Sequence, residues 1–242
     1  MPVADQHASG RYAIYWAPPM GSTLAQLGSA WLGREPEQGA AAARPPIAGF
    51  NAARLEALTA EPRRYGLHAT LKPPFALADG TDPETLRQVL ATFAAGQPSF
   101  PFPALRVTLL ERFIALTPVN GSPELQALAA DCVTGFDRFR APPGTAELTR
   151  RRAAGLSPLE ESYLTRWGYP YVLDRFRFHV TLTGPLDPVD AQRLLPVLAR
   201  LFEPVTREAL ALTDIALFHE PSRGVPFRLV ERFRLGGYNS LD

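Results

Sequence analysis

The chain has 242 residues, 46% hydrophobic and 20% charged, which are the proportions of a globular protein long enough to bury a core. Its 25 basic and 24 acidic residues leave a net charge of +1, so no whole-molecule field attracts nucleic acid or a membrane surface, and any anion-binding patch must be local. A single cysteine, Cys132, excludes an internal disulfide and a thiolate metal site and suits a cytoplasmic location. Within Ala129-Ala130-Asp131-Cys132-Val133 it reads as a packed core side chain rather than a nucleophile.

Residues 1–10 have neither a basic start nor an apolar stretch, so no signal peptide is expected. No apolar run approaches the roughly 20 residues that span a bilayer, so no membrane partner is expected. Residues 11–17 (Tyr12-Ala13-Ile14-Tyr15-Trp16) read as a strand halted by Pro18-Pro19, and residues 34–46, rich in Ala, Pro and Gly, read as a loop. A strand-like run follows from Tyr65 to Phe75, carrying His68-Ala69-Thr70-Leu71. Asp82-Pro83 then opens a predicted helix to Ala95, since aspartate caps free N–H groups and proline is tolerated at the first helical position. Runs at 105–110 and 113–117 predict a β-hairpin. In an insert at about 140–175, Ser157-Pro158-Leu159-Glu160 is a capping-box pattern, so a helix should run to Trp167 and end at Gly168. Arg150-Arg151-Arg152, just before it, reads as a solvated helix face.

The order of parts then repeats. A run from Phe176 to Leu182 carries His179-Val180-Thr181-Leu182, Asp187-Pro188 opens a helix to about Phe202 that Pro196 should kink, and runs at 210–218 and 226–235 predict a second hairpin. From Asp82 to Leu105 and from Asp187 to Ala211 the separations are 23 and 24 residues. Two matched spacings beside a matched tetrapeptide point to one bilobal domain over 1–242, with lobe-forming repeats at about 65–117 and 176–235.

Side chains alternate along a strand, so each run sorts into two faces. Leu67, Ala69 and Leu71 oppose His68, Thr70 and Lys72; Phe178, Val180 and Leu182 oppose Arg177, His179 and Thr181. Cleaving a phosphodiester takes a base to activate the incoming oxygen and an acid to protonate the leaving one, and histidine fills either role near neutral pH. A threonine hydroxyl two residues along can donate to a non-bridging oxygen. Of four histidines, His7, His68, His179 and His219, two fall at equivalent points of the repeat. Zinc would want a third protein ligand, and His7 and His219 have no ligand-like spacing, so neither a metal nor another cofactor is expected. Lys72, the sole lysine, and Arg177 are candidate phosphate contacts; Tyr15, Trp16, Tyr169 and Tyr171 could stack on a base or ribose.

With these motifs the chain resembles the two-histidine phosphoesterase superfamily, whose members carry paired His-x-Thr/Ser motifs on two pseudo-symmetric lobes. It is most similar to an uncharacterised branch associated with phosphonate operons, through Tyr12-Ala13-Ile14-Tyr15-Trp16-Ala17-Pro18-Pro19, Trp31-Leu32-Gly33, Tyr65 to Phe75, and Trp167-Gly168-Tyr169-Pro170-Tyr171 leading to Arg177-Phe178-His179-Val180-Thr181-Leu182. The resemblance implies an α+β fold with an antiparallel sheet in each lobe, helices outside and a cleft between. It assigns acid–base roles to His68 and His179 and phosphate-binding roles to Thr70 and Thr181. The expected activity is hydrolysis of a small cyclic phosphate, a 2′,3′-cyclic nucleotide or a ribose cyclic phosphate, with no obligate protein partner. The rivals are an RNA-end 2′-5′ ligase or RNA phosphodiesterase, which would need a basic, aromatic groove beyond the cleft, and a non-catalytic binder of phosphorylated metabolites.

Overall fold

A computed structural model of the protein describes residues 10–207 and 210–237; His7 lies outside them. The elements run β1 (Arg11–Trp16), α1 (Thr23–Leu32), α2 (Ala52–Tyr65), β2 (Ala69–Phe75), α3 (Pro83–Gly96), β3 (Phe100–Phe102), β4 (Leu105–Leu110), β5 (Phe113–Pro118) and α4 (Pro123–Gly135). After them come α5 (Thr145–Arg152), α6 (Pro158–Trp167), β6 (Val180–Thr181), α7 (Pro188–Leu201), α8 (Glu203–Thr206), β7 (Leu210–Leu212), β8 (Asp214–Glu220) and β9 (Arg228–Arg234). The fold is α+β. Seven strands form an antiparallel sheet in the order β4-β5-β6-β2-β1-β8-β9, and β3 pairs with β7 in a small second sheet. The two halves of the large sheet meet at one seam, the pairing of Ala69 on β2 with Val180 on β6. No described helix is long and apolar enough to cross a membrane.

One face of the sheet carries the main core. Leu105, Ile114, Leu116, Val180, Leu182, Ala69, Leu71, Ile14 and Leu217 all point into it and are buried, as the alternation requires. The amphipathic helices α3 and α7 cover this face through Leu86, Leu90 and Ala94 and through Leu194 and Leu198. Each packs on the other segment's hairpin: α3 on β8 and β9, α7 on β4 and β5. Asp82 and Asp187 cap these helices by accepting from the backbone N–H of Thr85 and Asp190, with proline in the first turn of each. The capping box at Ser157 and Glu160 and the left-handed Gly168 bound α6.

Three segments depart from their sequence patterns. Tyr65 closes α2, a helix capped by Asn51, and Gly66 turns the chain at φ 78°, so β2 starts only at Ala69. The run from Phe176 to Leu182 is reduced to the two residues of β6, because a 3₁₀ turn at Leu173–Arg175 leads into it. Residues 123–135 form α4, whose Ser122-Pro123 start and buried Leu125, Leu128, Ala129, Cys132 and Val133 repeat signals found at the other helices. His219, expected in a turn, lies in β8 and stacks on Tyr12 at 4.5 Å between ring centroids.

Candidate active site

The seam decides where the motif residues go. Ala69 and Val180 face each other and both point into the core, so their neighbours point to the opposite face of the sheet. Antiparallel pairing continued one step either way sets His68 opposite Thr181 and Thr70 opposite His179. The histidines thus occupy one diagonal of a four-residue square and the threonines the other, and diagonal neighbours across an antiparallel pair are about 7–8 Å apart.

Both imidazoles are held the same way. His68 Nδ1 lies 2.9 Å from the carbonyl of Gly66, and His179 Nδ1 lies 2.7 Å from the carbonyl of Arg177. A carbonyl oxygen can only accept, so in each ring Nδ1 carries the donated hydrogen and Nε2 is left to face the square. Thr70 Oγ1 stands 3.4 Å from His68 Nε2. His68 is 9% exposed, with the rings of Tyr15, Tyr65 and Phe218 at 4.1, 5.5 and 6.3 Å. Burial pulls its pKa down to about 4; the Gly66 carbonyl opposes the shift and the charge of His179 adds to it. His179 is half-buried beside Phe113 at 5.8 Å, and burial lowers its pKa too, with Arg177 acting in the same direction against the carbonyl bond.

A cavity of about 410 Å³ opens at this square, lined by Thr70, His179, Arg177, Tyr169 and Tyr171 among the sequence candidates, and by Phe113, Glu111, Glu160, Asp174 and Arg175. Tyr169 and Tyr171 meet edge to face at 5.7 Å, and Arg151 lies over the Tyr169 ring at 4.5 Å. Of the arginine run, Arg151 is mostly covered and pairs with Glu147 at 2.7 Å, while Arg150 and Arg152 are exposed. His68 and Thr181 border the square from its other side and are not among the cavity-lining residues.

Three sequence candidates are not brought to the cavity. Trp16 lies in the main core against Phe102 and Phe178. Tyr15 is buried beneath His68, in a second small core with Phe218 and Phe227. Lys72 does not keep the alternation from Thr70: a bulge in β2 pairs it with the core residue Ile14 where Thr70 pairs with Tyr15, and the residue is 1% exposed, its ammonium donating to the Val133 carbonyl of α4 at 2.9 Å. Burial pulls its pKa down to about 8, against the pull of Asp137. Lys72 therefore ties β2 to the last turn of α4, a wall of the cavity. If a phosphorylated ligand enters the cavity, Lys72→Met should leave its affinity within about twofold of the parent, because the ammonium is spent on a backbone carbonyl; a loss of tenfold or more by calorimetry would place Lys72 on the ligand.

Sequence reasoning missed the support behind His68. Glu220 is fully buried, accepts from Arg11 at 2.6 Å and also pairs with Arg64. Burial alone would raise its carboxyl, but the two guanidinium groups hold it below the usual range. Arg64 precedes Tyr65 at the end of α2, so this pair anchors the helix that walls off His68. Three carboxyl- and guanidinium-bearing residues from distant parts of the chain leave no local pattern.

Comparison with known proteins follows the same geography. Residues 70–228 match the family model described as "Protein of unknown function (DUF1045)", a stretch that includes both threonines and His179. Two curated relatives are each called "Ribose 1,5-bisphosphate phosphokinase PhnN". The one from Janthinobacterium sp. (strain Marseille) is 40% identical over 232 residues, covering 94% of this chain and 51% of its own length. That from Laribacter hongkongensis (strain HLHK9) is 40% identical over 219 residues, covering 90% and 50%. The chain thus spans about half the length of these relatives. Among solved structures, a crystal structure of a phosphoesterase aligns at a TM-score of 0.41 and 14% identity over 94% of this chain and 99% of that one. Escherichia coli LigT complexed with NADP+ aligns at 0.40 and 16% over 94% and 98%. Because the family match extends from the first threonine across the seam to β9, well over half of the sequence, the chain belongs to the DUF1045 family.

Proposed function

We propose that this protein is a two-histidine phosphodiesterase that opens a small cyclic phosphate, with His68 and His179 as the proton-transfer pair. The observation that supports the reading most directly is the seam register, which sets two His-x-Thr segments, distant in sequence, on one face at the mouth of a cavity. In-line displacement at phosphorus needs a base and an acid on opposite sides of the reacting group. Two Nε2 atoms on a diagonal meet that demand.

Water gives its proton to one Nε2 as its oxygen bonds to phosphorus, the ring P–O bond breaks, and the freed alkoxide takes a proton from the other Nε2. The product is a phosphomonoester with a neighbouring hydroxyl. Burial lowers the pKa of both rings, that of His68 to about 4; the more enclosed His68 is assigned the base role, and His179, beside the open cavity, delivers the proton. Thr70 and Thr181 donate to the non-bridging oxygens as charge accumulates there. Both proton transfers are supplied by imidazoles, so the reading needs no metal. Tyr169 and Tyr171 offer the ring surface for a sugar or base. The activity named for the curated relatives belongs to those longer proteins; carried over as part of this proposal, it turns the choice of substrate toward ribose-bearing phosphates.

The test is a screen of 2′,3′-cyclic nucleotides and ribose cyclic phosphates with EDTA present, followed by phosphorus NMR. We expect conversion to phosphomonoester at a rate the chelator does not change. No turnover of any member, or turnover that vanishes with chelator and returns with added metal, would sink the reading.

A further inference from the structure

A second cavity, of about 400 Å³, lies beside the first and shares Leu110, Phe176 and Arg177 with it, so the two are contiguous. Sheet register shows what floors it. Arg106 on β4 pairs with Thr117 on β5, and the β5–β6 register, Ala115 with Thr181 and Leu116 with Val180, continues to Thr117 opposite His179. One row across the sheet therefore reads Arg106, Thr117, His179, Thr70, and the next reads Thr108, Ala115, Thr181, His68. All lie on the face away from the main core. Neighbouring strands are about 4.8 Å apart, which puts Arg106 about 10 Å from His179 at the backbone.

The two directions along this row differ. Past Thr70 the face is filled by Tyr15, Ala216, Phe218 and Phe227, all buried. Past His179 it is open, and the charged side chains of the cavity there are both cationic. Arg106 and Arg177 line it and are exposed, and neither guanidinium has an ion-pair or side-chain hydrogen-bond partner among the described residues. Thr108 and Thr117 share a hydroxyl hydrogen bond of 2.8 Å on its floor. No carboxylate is among its lining residues, whereas Glu111, Glu160 and Asp174 line the first cavity. At its rim Ser122 Oγ donates to Glu124 at 2.9 Å.

In the first cavity Arg175 and Arg177 are offset by the three carboxylates, whereas the second offers two guanidinium groups and no carboxylate, so the added charge of a monoester is better matched there. We propose that the cavity over β4 and β5 is a subsite for a second phosphate on the same small substrate, a monoester gripped by Arg106 and Arg177. The inference rests on the phosphodiesterase reading of the adjoining square, and it narrows the substrate to a doubly phosphorylated one. Guanidinium groups suit that role because their planar donors match phosphate oxygens two at a time.

Product-analogue binding tests it separately from turnover. Calorimetry would compare 2′-AMP with adenosine 2′,5′-bisphosphate, which differ only in the second monoester, on the parent, Arg106→Gln and Arg177→Gln. The parent should prefer the bisphosphate by about tenfold or more, and each variant should lose most of that preference, as expected when a charge-assisted pair is removed. Affinity for 2′-AMP in Arg106→Gln is the internal reference for an intact fold, because Arg106 lines the second cavity and not the first. Equal affinity of the parent for both ligands, or a preference that survives both substitutions, overturns the subsite. Failure of the cyclic phosphate screen with a preference that behaves as expected would overturn the chemistry and leave the subsite standing.

Discussion

Replacing either His68 or His179 with alanine should lower turnover of a cyclic phosphate at least ~100-fold, with the larger part of the loss in kcat, because general acid and general base catalysis each contribute about that much or more. The double variant should fall little further than the worse single one, since the two groups act on one displacement. The geometry behind this is specific. Each ring is oriented by a backbone carbonyl two residues upstream, Gly66 for one and Arg177 for the other, so an asparagine, which cannot relay a proton, should fare no better than alanine. Rates measured under saturating substrate decide the matter. Parent-like turnover in both single variants would remove His68 and His179 from the chemistry, whatever the fold.

The second large effect concerns stability in acid. His68 titrates at about 4 in the folded chain because burial disfavours its cation, whereas an exposed histidine titrates near 6.5. The folded pKa is the lower of the two, so between these values the unfolded chain binds more protons and folding stability rises with pH. Stability should therefore be lost as pH falls from about 6.5 to about 4, by up to about 3 kcal/mol from this one ring. Urea unfolding from pH 7 to 4 on the parent and on His68→Phe gives the measurement. The phenylalanine should flatten the acid limb, since it fills the aromatic surround of Tyr15, Tyr65 and Phe218 without a titrating group. Acid limbs of equal slope would show that the ring is hydrated in solution and not sealed. His179, half-buried at the cavity, should contribute less.

Much of the architecture could be read without coordinates, and the reasons are local. Asp82-Pro83 and Asp187-Pro188 start helices because a capping carboxylate and a preset φ act within a single turn. The hairpin strands at 105–110 and 113–118 announce themselves by composition, and the helix after Ser157 by its reciprocal cap. The same rules would have found α4 from Ser122-Pro123-Glu124. Alternation along the strands also separated His68, Thr70, His179 and Thr181 from Ala69, Leu71, Val180 and Leu182 correctly, since the pleat sends neighbours to opposite faces.

Lys72 illustrates where local rules stop. Alternation puts it with Thr70, yet a bulge in β2 pairs it with Ile14 and a helix from elsewhere in the chain claims its ammonium for the Val133 carbonyl. Tyr15 is similar: an exposed stacking surface by composition, it is instead the floor beneath His68. Residue types, their spacing and the helix starts were legible in the linear order because caps, pleats and turns involve atoms a few bonds apart. Which strands pair, and so that His68 faces Thr181, that Glu220 holds Arg11 and Arg64, and that an acid-free cavity continues past Arg177 to Arg106, depended on contacts between segments about seventy or more residues apart. Those contacts follow from how the whole apolar surface is buried, a property of the packed chain that no short window contains.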